Sequence, residues 1–133
     1  MAHLAKTRLA ALLSLAFLLF SAGSPAVAQY MDMMTLLDGI GTRQFYRDAD
    51  RVTGVNSIRV EKISTLPGAS FGRGRLDARL AAYPEAIRYL QEQLRFNPIA
   101  KRDIGNQGFG IEDIVFLHVS GDGGTVVYAD DLP

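Results

Sequence analysis

His118 is the only histidine after residue 28, and it precedes Ser120 by two positions and Asp122 by four. Histidine is the usual general base near neutral pH, and serine and aspartate accompany it in many hydrolases. Spacing along a strand does not by itself bring His118 within hydrogen-bond distance of Ser120. The sequence also lacks HExxH and CxxC signatures. A small hydrolase centred on His118 is therefore the third-ranked hypothesis, and a half-exposed sheet histidine is the simpler interpretation.

Three methionines lie close together near position 30, at Met31, Met33 and Met34. Thioethers are soft ligands that select Cu(I), so these side chains, with His118, define a hypothetical copper-binding set. The chain has no cysteine to complete such a site. Flexible methionines also fill irregular gaps in an apolar core. A copper-binding protein is the second-ranked hypothesis, and we predict no cofactor.

Two further clusters lack the spacing of an established motif. Asp122, Asp130 and Asp131 do not follow the alternating pattern of a calcium loop, so they are interpreted as turn and solubility residues. The glycine-arginine segment 71–75 lacks the remaining glycine and the lysine of phosphate-binding loops. It is interpreted as a linker.

The first 28 residues have the three-part pattern of a cleaved secretory signal. Lys6 and Arg8 precede an apolar run at residues 9–20, and small residues follow at 26–28. A bilayer span needs roughly 20 apolar residues, so a retained membrane anchor is the less favoured alternative. We expect cleavage before Gln29 and a soluble bacterial protein in the periplasm, or secreted, with no membrane span in its mature form.

The composition of the remaining 105 residues limits the partners of the protein. The signal segment holds two of the 14 basic residues and none of the 14 acidic ones, which leaves 12 basic and 14 acidic side chains. Nucleic acids and anionic membranes attract clustered positive charge, so neither is an expected partner. Because the chain has no cysteine, its stability has to come from packing rather than disulfides.

Proline punctuation predicts two helices. Apolar residues from 80 to 94 recur at intervals of three and four, and Pro84 suits the first position of a helix over about 84–96. Asn97 can cap a second helix over about 98–105, in which Pro98 again occupies the first position.

Three strands are predicted. Alternating polarity indicates a strand at about 58–63, and two valine-rich segments at 114–120 and 125–129 flank a glycine-rich turn typical of a hairpin. The element order β-α-α-β-β predicts an α+β domain at residues 57–133, with a three-stranded, mainly antiparallel sheet and helices on one face. Residues 29–56 are predicted to form an N-terminal arm that is weakly structured or contains a short helix.

An apolar sheet face suggests the first-ranked function. Phe116 and Val127 are predicted to lie on a partly exposed apolar face of the sheet, and such patches commonly mark partner surfaces. If the N-terminal arm covered this face, the patch would simply be core. We therefore expect a non-enzymatic envelope interaction or stress-related module that binds an envelope protein.

Overall fold

The computed structural model describes residues 31–133, and the predicted signal segment 1–28 lies outside the described residues. The described part of the chain contains five α-helices and three strands. In chain order they are α1 (Met33–Gly39), α2 (Arg43–Arg51), β1 (Ile58–Lys62), α3 (Arg73–Ala82), α4 (Pro84–Arg95), α5 (Pro98–Asn106), β2 (Ile114–Val119) and β3 (Thr125–Ala129). The predicted α+β class and three-stranded sheet are confirmed.

The two proline-started helices begin where the sequence predicts. Pro84 and Pro98 each occupy the first turn of their helix, where a missing backbone N–H costs no hydrogen bond. The Asn97 side chain accepts hydrogen bonds from the N–H groups of Ile99 and Ala100, which satisfies two donors at the start of α5. Both helices are therefore fixed by local sequence.

The sheet has the order β1-β3-β2 and is mixed. β2 and β3 pair antiparallel through the hairpin, as predicted, whereas β1 pairs parallel with β3. The expectation of a mainly antiparallel sheet is wrong in this respect. A tight turn makes β3 antiparallel to β2. The helices between β1 and β2 can return the chain to either end of the sheet, so this connection does not fix the direction of β1. The alternation of polar and apolar residues along β1 is the same whether the strand runs parallel or antiparallel to β3, so it does not predict the direction.

The segment predicted as a separate arm is part of the folded domain. Residues 32–55 contain α1 and α2, and their apolar side chains belong to the same core as those of the sheet. The Phe45 ring packs 5.9 Å from the Phe116 ring, and a Cβ on Gly39 would overlap Phe116. The structure has two helices, α1 and α2, in the segment for which the sequence predicts an arm that is weakly structured or contains a short helix. Aromatic packing on Phe116 holds this segment against β2.

Side chains of α5 cover part of the outer edge of β1. The Ile58 N–H donates to Asp103, and the Gln107 amide accepts from the Val60 N–H while donating to the Ile58 carbonyl. Asp103 and Gln107 are four residues apart, so both lie on one side of the helix. Edge strands with free backbone groups invite pairing with other chains. Two side chains of α5 thus occupy backbone groups that another strand would otherwise bind.

We predict that Phe45→Ala lowers the free energy of unfolding by about 3–5 kcal/mol, because it removes a buried ring and leaves a cavity. Phe71→Ala is the matched control, since Phe71 is 85% exposed and its loss should change stability by less than about 0.5 kcal/mol. Urea denaturation followed by circular dichroism measures both. Equal, small effects would show that residues 32–55 are not part of the core.

A second prediction concerns Asp103. The Ile58 N–H holds the pKa of Asp103 below its ordinary value of 3.8, with Arg102 acting in the same direction. A carboxylate with a lowered pKa stabilises the fold above its unfolded pKa, and that stabilisation is lost as the pH falls through the folded pKa. Asp103→Ala should therefore be less stable than the wild type at neutral pH, and the difference should shrink below about pH 3.8. If the urea midpoints of the wild type and Asp103→Ala differed equally at neutral pH and below about pH 3.8, this prediction would be contradicted.

Candidate functional site

Two of the proposed hydrolase residues, Ser120 and Asp122, form part of a hairpin turn. The Ser120 hydroxyl donates to the Asp122 carboxylate, and the Gly124 N–H donates to the same oxygen at 2.9 Å. These two donors hold the pKa of Asp122 below its ordinary value. His118 is exposed on the sheet, and no hydrogen bond within residues 31–133 joins it to Ser120 or Asp122. The Ser120 and Asp122 side chains, which a hydrolase would require for catalysis, are thus bonded within the turn.

The methionines occupy different environments. Met33 is buried, and a Cβ on Gly72 would overlap its terminal methyl group. Met34 is half exposed, and its sulfur accepts a hydrogen bond from Arg75 at 3.2 Å. Met31 is partly buried against the core. In the described range, no group of three His, Cys, Asp or Glu side chains is placed to hold a metal ion. The geometry offers no observation that favours the copper hypothesis.

The C-terminal acids hold the end of the chain against the fold. Asp130 receives two hydrogen bonds from Arg73, at 2.9 and 2.8 Å, and these contacts raise the pKa of the guanidinium. Asp131 accepts from the Ser64 N–H at 2.8 Å and from its hydroxyl. Because Arg73 pairs with Asp130 and with Asp77, it is not a free phosphate ligand. These residues have structural roles.

Phe116 and Val127 do not form a partner surface. Phe116 is 8% exposed under Phe45 and Gly39, and Val127 is fully buried. The register places them on opposite faces of the sheet, since Phe116 pairs with Tyr128, the next residue along β3. Their assignment to one exposed face is therefore wrong, and both belong to the core. His118 and Val126, which pair with each other, lie on the more open part of the sheet.

An open groove of about 590 Å³ lies at the hairpin end of the sheet. Its lining includes Arg51, Asn56 and Asp122. Arg51 donates to the Ser120 carbonyl at 3.2 Å, and Asp122 is bonded within the turn. The charged groups Arg51 and Asp122 therefore already have hydrogen-bond partners in the hairpin.

The candidate site is a line of aromatic residues along the seam between α2 and α4, which we call the aromatic strip. Its members are Tyr46, Tyr83, Tyr89 and Phe96. The Tyr46 and Tyr89 rings lie 5.4 Å apart and connect the two helices. Tyr83 lies at the start of the seam, where a Cβ on Gly41 would be 2.5 Å from its ring. Phe96 is the C-cap of α4 and keeps helical backbone angles, and it follows Tyr89 by seven residues, or two helical turns, so both extend from the same side of the helix.

Exposure distinguishes the aromatic strip from the core. Tyr46 is 37% exposed, Tyr83 is 38% exposed and Phe96 is 75% exposed, although all three are large apolar side chains. They are positioned by buried neighbours on the same helices, namely Phe45 and Ala49 on α2 and Ala86, Leu90 and Leu94 on α4. The aromatic strip is thus a surface feature held by a rigid scaffold.

Polar contacts orient two of the tyrosines. The Tyr89 hydroxyl donates to the Asp50 carboxylate, and this bond, together with desolvation, raises the pKa of Tyr89. The Arg79 guanidinium lies over the Tyr83 ring at 5.9 Å and reaches Asp38 at 3.5 Å. A polar contact therefore holds each of these two tyrosine side chains in place, while part of each side chain remains exposed.

Comparison with protein families, curated proteins and solved structures gives no match, so the functional argument rests on geometry. Within residues 31–133, none of the helices combines the length and apolar character needed to cross a membrane.

The sequence of residues 41–56 shows no clear apolar period, and for this reason sequence reasoning does not find the aromatic strip. Phe45, Asp48, Ala49 and Val52 are buried at intervals of three, one and three, which is one face of a helix. Alternating charges such as those at 47–51 are typical of a solvated face, but Asp48 is buried and receives a hydrogen bond from Gln44 at 2.8 Å. Recognising this helix would have placed Tyr46 at its margin.

We predict that Asp50→Asn lowers the pKa of Tyr89 toward its ordinary value of 10.0, because a carboxylate that accepts the phenol proton favours the neutral phenol. NMR titration of tyrosine labelled at the ζ carbon resolves the individual residues. Tyr128 is the control, since burial is the main cause of its raised pKa and Asp50→Asn should leave it unchanged. An unchanged Tyr89 pKa would show that Asp50 does not hold the ring.

Proposed function

We propose that this protein is a non-enzymatic interaction module of the bacterial envelope, which binds a protein partner through the aromatic strip. The observation that carries the proposal is the exposure of Tyr46, Tyr83 and Phe96 beside the contact between the Tyr46 and Tyr89 rings. The charged, apolar and small-residue pattern of residues 1–28 supports a mature chain that begins at Gln29 and works in the periplasm.

The chemistry of the aromatic strip suits protein recognition. Tyrosine and phenylalanine are enriched in protein interfaces, and tyrosine is among the residues that most often dominate binding energy. A tyrosine side chain provides a large contact area while losing few rotatable bonds. The Tyr46 and Tyr89 rings are already in contact, so these two side chains have lost part of their rotational freedom before a partner binds.

The surroundings of the aromatic strip also favour a protein over a polyanion. Basic and acidic side chains both lie near it, and Asp50 contacts Tyr89 directly. The chain from Gln29 onward has slightly more acids than bases. A polyanion would instead require clustered positive charge. Mixed charge around an aromatic centre is the usual composition of a protein-protein interface.

Site-specific photo-crosslinking tests this function. A benzoylphenylalanine at position 96 of the full chain, expressed in bacterial cells, should give a covalent protein adduct in the periplasmic extract. The same probe at position 118 is the control, because His118 is exposed on β2 and is not a member of the aromatic strip. The intact mass of the uncrosslinked chain in the extract tests cleavage before Gln29.

Tyr46→Ala combined with Tyr83→Ala should lower the yield of the adduct at position 96 at least tenfold, because both changes remove exposed contact area of the aromatic strip. Circular dichroism should show that the doubly substituted chain remains folded. Equal adduct yields at positions 96 and 118, or a yield that does not depend on the two tyrosines, would contradict an interface at the aromatic strip.

A further inference from the structure

Met34 differs from the other two methionines of its cluster in its access to solvent. It is 50% exposed, whereas Met33 is 2% exposed and Met31 is partly buried against the core. A Cβ on Gly72 would lie 3.1 Å from the Met33 sulfur, so that sulfur packs closely against the start of α3. An oxidant dissolved in water can therefore approach Met34 far more easily than Met33.

The helical period of α1 places Met34 on the surface. The side of α1 that faces the core carries buried apolar residues at intervals of three, one and three, namely Met33, Leu36, Leu37 and Ile40. Met34 and Asp38 are four residues apart and lie together on another side of the helix. The Asp32 carboxylate fixes the start of α1 by accepting from the Thr35 N–H at 2.7 Å. The position of the Met34 side chain is thus set by a capped helix.

Arg75 contacts the sulfur of Met34. Its guanidinium donates a hydrogen bond to the Met34 Sδ at 3.2 Å, which joins α3 to α1. One helical turn further along, Arg79 reaches Asp38 at 3.5 Å, so the two helices lie side by side. Within residues 31–133, Arg75 forms no ion pair with an acidic side chain. Its guanidinium is therefore directed to a thioether rather than to a carboxylate.

From these contacts we propose that Met34 is a site of oxidation by peroxides, and that Arg75 selects which of the two sulfoxide configurations forms. Oxidation of methionine to its sulfoxide is reversible by dedicated reductases, and it occurs both as damage and as a regulatory switch. This role for the methionine cluster is independent of partner binding at the aromatic strip.

The reaction transfers one oxygen atom to the sulfur. A lone pair of the Met34 sulfur attacks one oxygen of hydrogen peroxide, so that an S–O bond forms while the O–O bond breaks. The transferred oxygen gives its proton to the departing hydroxide, which leaves as water. The sulfur loses two electrons to the peroxide, and no further reactant is needed.

The contact with Arg75 makes the two sides of the sulfur unequal. A peroxide can attack a thioether from either side of the plane of its two carbon bonds, and the resulting sulfoxide is chiral. The Arg75 N–H occupies a lone pair on one side of the Met34 sulfur, so the peroxide reacts from the other side. Because sulfur is a weak hydrogen-bond acceptor, the excess of one configuration should be moderate rather than complete.

Exposure also allows the oxidised protein to remain folded. A sulfoxide oxygen is polar, and burying it without a hydrogen-bond partner is costly. At Met34, solvent reaches the side chain and Arg75 is a nearby donor. At Met33, the same oxygen would be buried against Gly72. Met34 can therefore be oxidised without loss of the fold, whereas Met33 cannot.

Timed treatment with hydrogen peroxide tests the site. The chain is used as it is recovered from the periplasmic extract, and mass spectrometry of tryptic peptides assigns the sulfoxide to individual methionines. Met34 should be oxidised about tenfold faster than its neighbour Met33, and the two rates should become equal in concentrated urea, where both sulfurs are accessible. Equal rates in the folded chain would overturn the proposed site.

The configuration of the sulfoxide tests the role of Arg75. Each of the two classes of methionine sulfoxide reductase reduces one configuration, so treating the digest with either class measures how much of each is present. The folded wild type should give about a fivefold excess of one configuration at Met34, in line with the modest net strength of one hydrogen bond. The chain oxidised in concentrated urea should give equal amounts.

Arg75→Ala should abolish this excess while Met34 remains more reactive than Met33. Arg88→Ala is the matched control and should retain the excess, because Arg88 is also an exposed helical arginine but pairs with Glu85. Equal amounts of the two configurations in the folded wild type, or an excess that persists in Arg75→Ala, would reject Arg75 as the selecting residue.

Circular dichroism verifies that both variants are folded and follows the wild type after oxidation at Met34 alone. Its spectrum should match that of the unoxidised chain. Loss of the fold at this stage would show that the Met34 sulfur belongs to the core, and the proposed site would then be wrong.

Discussion

The buried side chain of Asn97 joins the start of α5 to the end of α2 and to the turn that follows α2. It is 3% exposed, and its oxygen accepts from two N–H groups at the start of α5. Its nitrogen donates to the carbonyls of Val52 and Val55, at 2.8 and 3.2 Å. One buried amide thus caps a helix and satisfies the turn that leads from α2 into β1. Because an unsatisfied buried amide is costly, the ends of α2 and α4 are held next to each other.

That constraint explains why the N-terminal helices belong to the core. With the end of α2 fixed beside α4, the Phe45 ring lies against Phe116 on β2. Phe116 in turn contacts Tyr128 on β3, with the rings 5.8 Å apart. A chain of aromatic contacts therefore runs from α2 through the hairpin. The side chains that α2 and β2 bury against each other would be exposed to water if residues 32–55 were a detached arm.

Local sequence signals predicted the parts of the fold that depend on local interactions. Pro84 and Pro98 mark helix starts because proline is tolerated only there, and the glycine-rich turn marks a hairpin because Gly123 adopts a positive φ of 89°. The direction of β1 depends on how the intervening helices pack, which no local pattern encodes. The helix at Arg43–Arg51 was missed because its inner face includes a buried aspartate, Asp48, instead of an apolar residue.

The candidate site was difficult to predict for a different reason. Tyr89 and Phe96 occur at helical spacing, and such spacing ordinarily indicates residues that face a core. Only the packing of α2 against α4 shows that Leu90 and Leu94 fill the inner face and leave the aromatic residues at the margin. The same limitation applies to Phe116. The alternation of residues along β2 cannot show that α2, which is distant in the sequence, covers its ring.

Two consecutive residues of α2 connect the core with the aromatic strip. Phe45 is buried and Tyr46 is exposed, and their rings contact each other edge to face at 5.9 Å. A tyrosine supported by a buried neighbour and by Tyr89 has little freedom to lose when a partner binds. Surface residues on rigid helices also hold a binding geometry better than residues on loops. The packing that stabilises the domain therefore also prepares the surface that we assign to recognition.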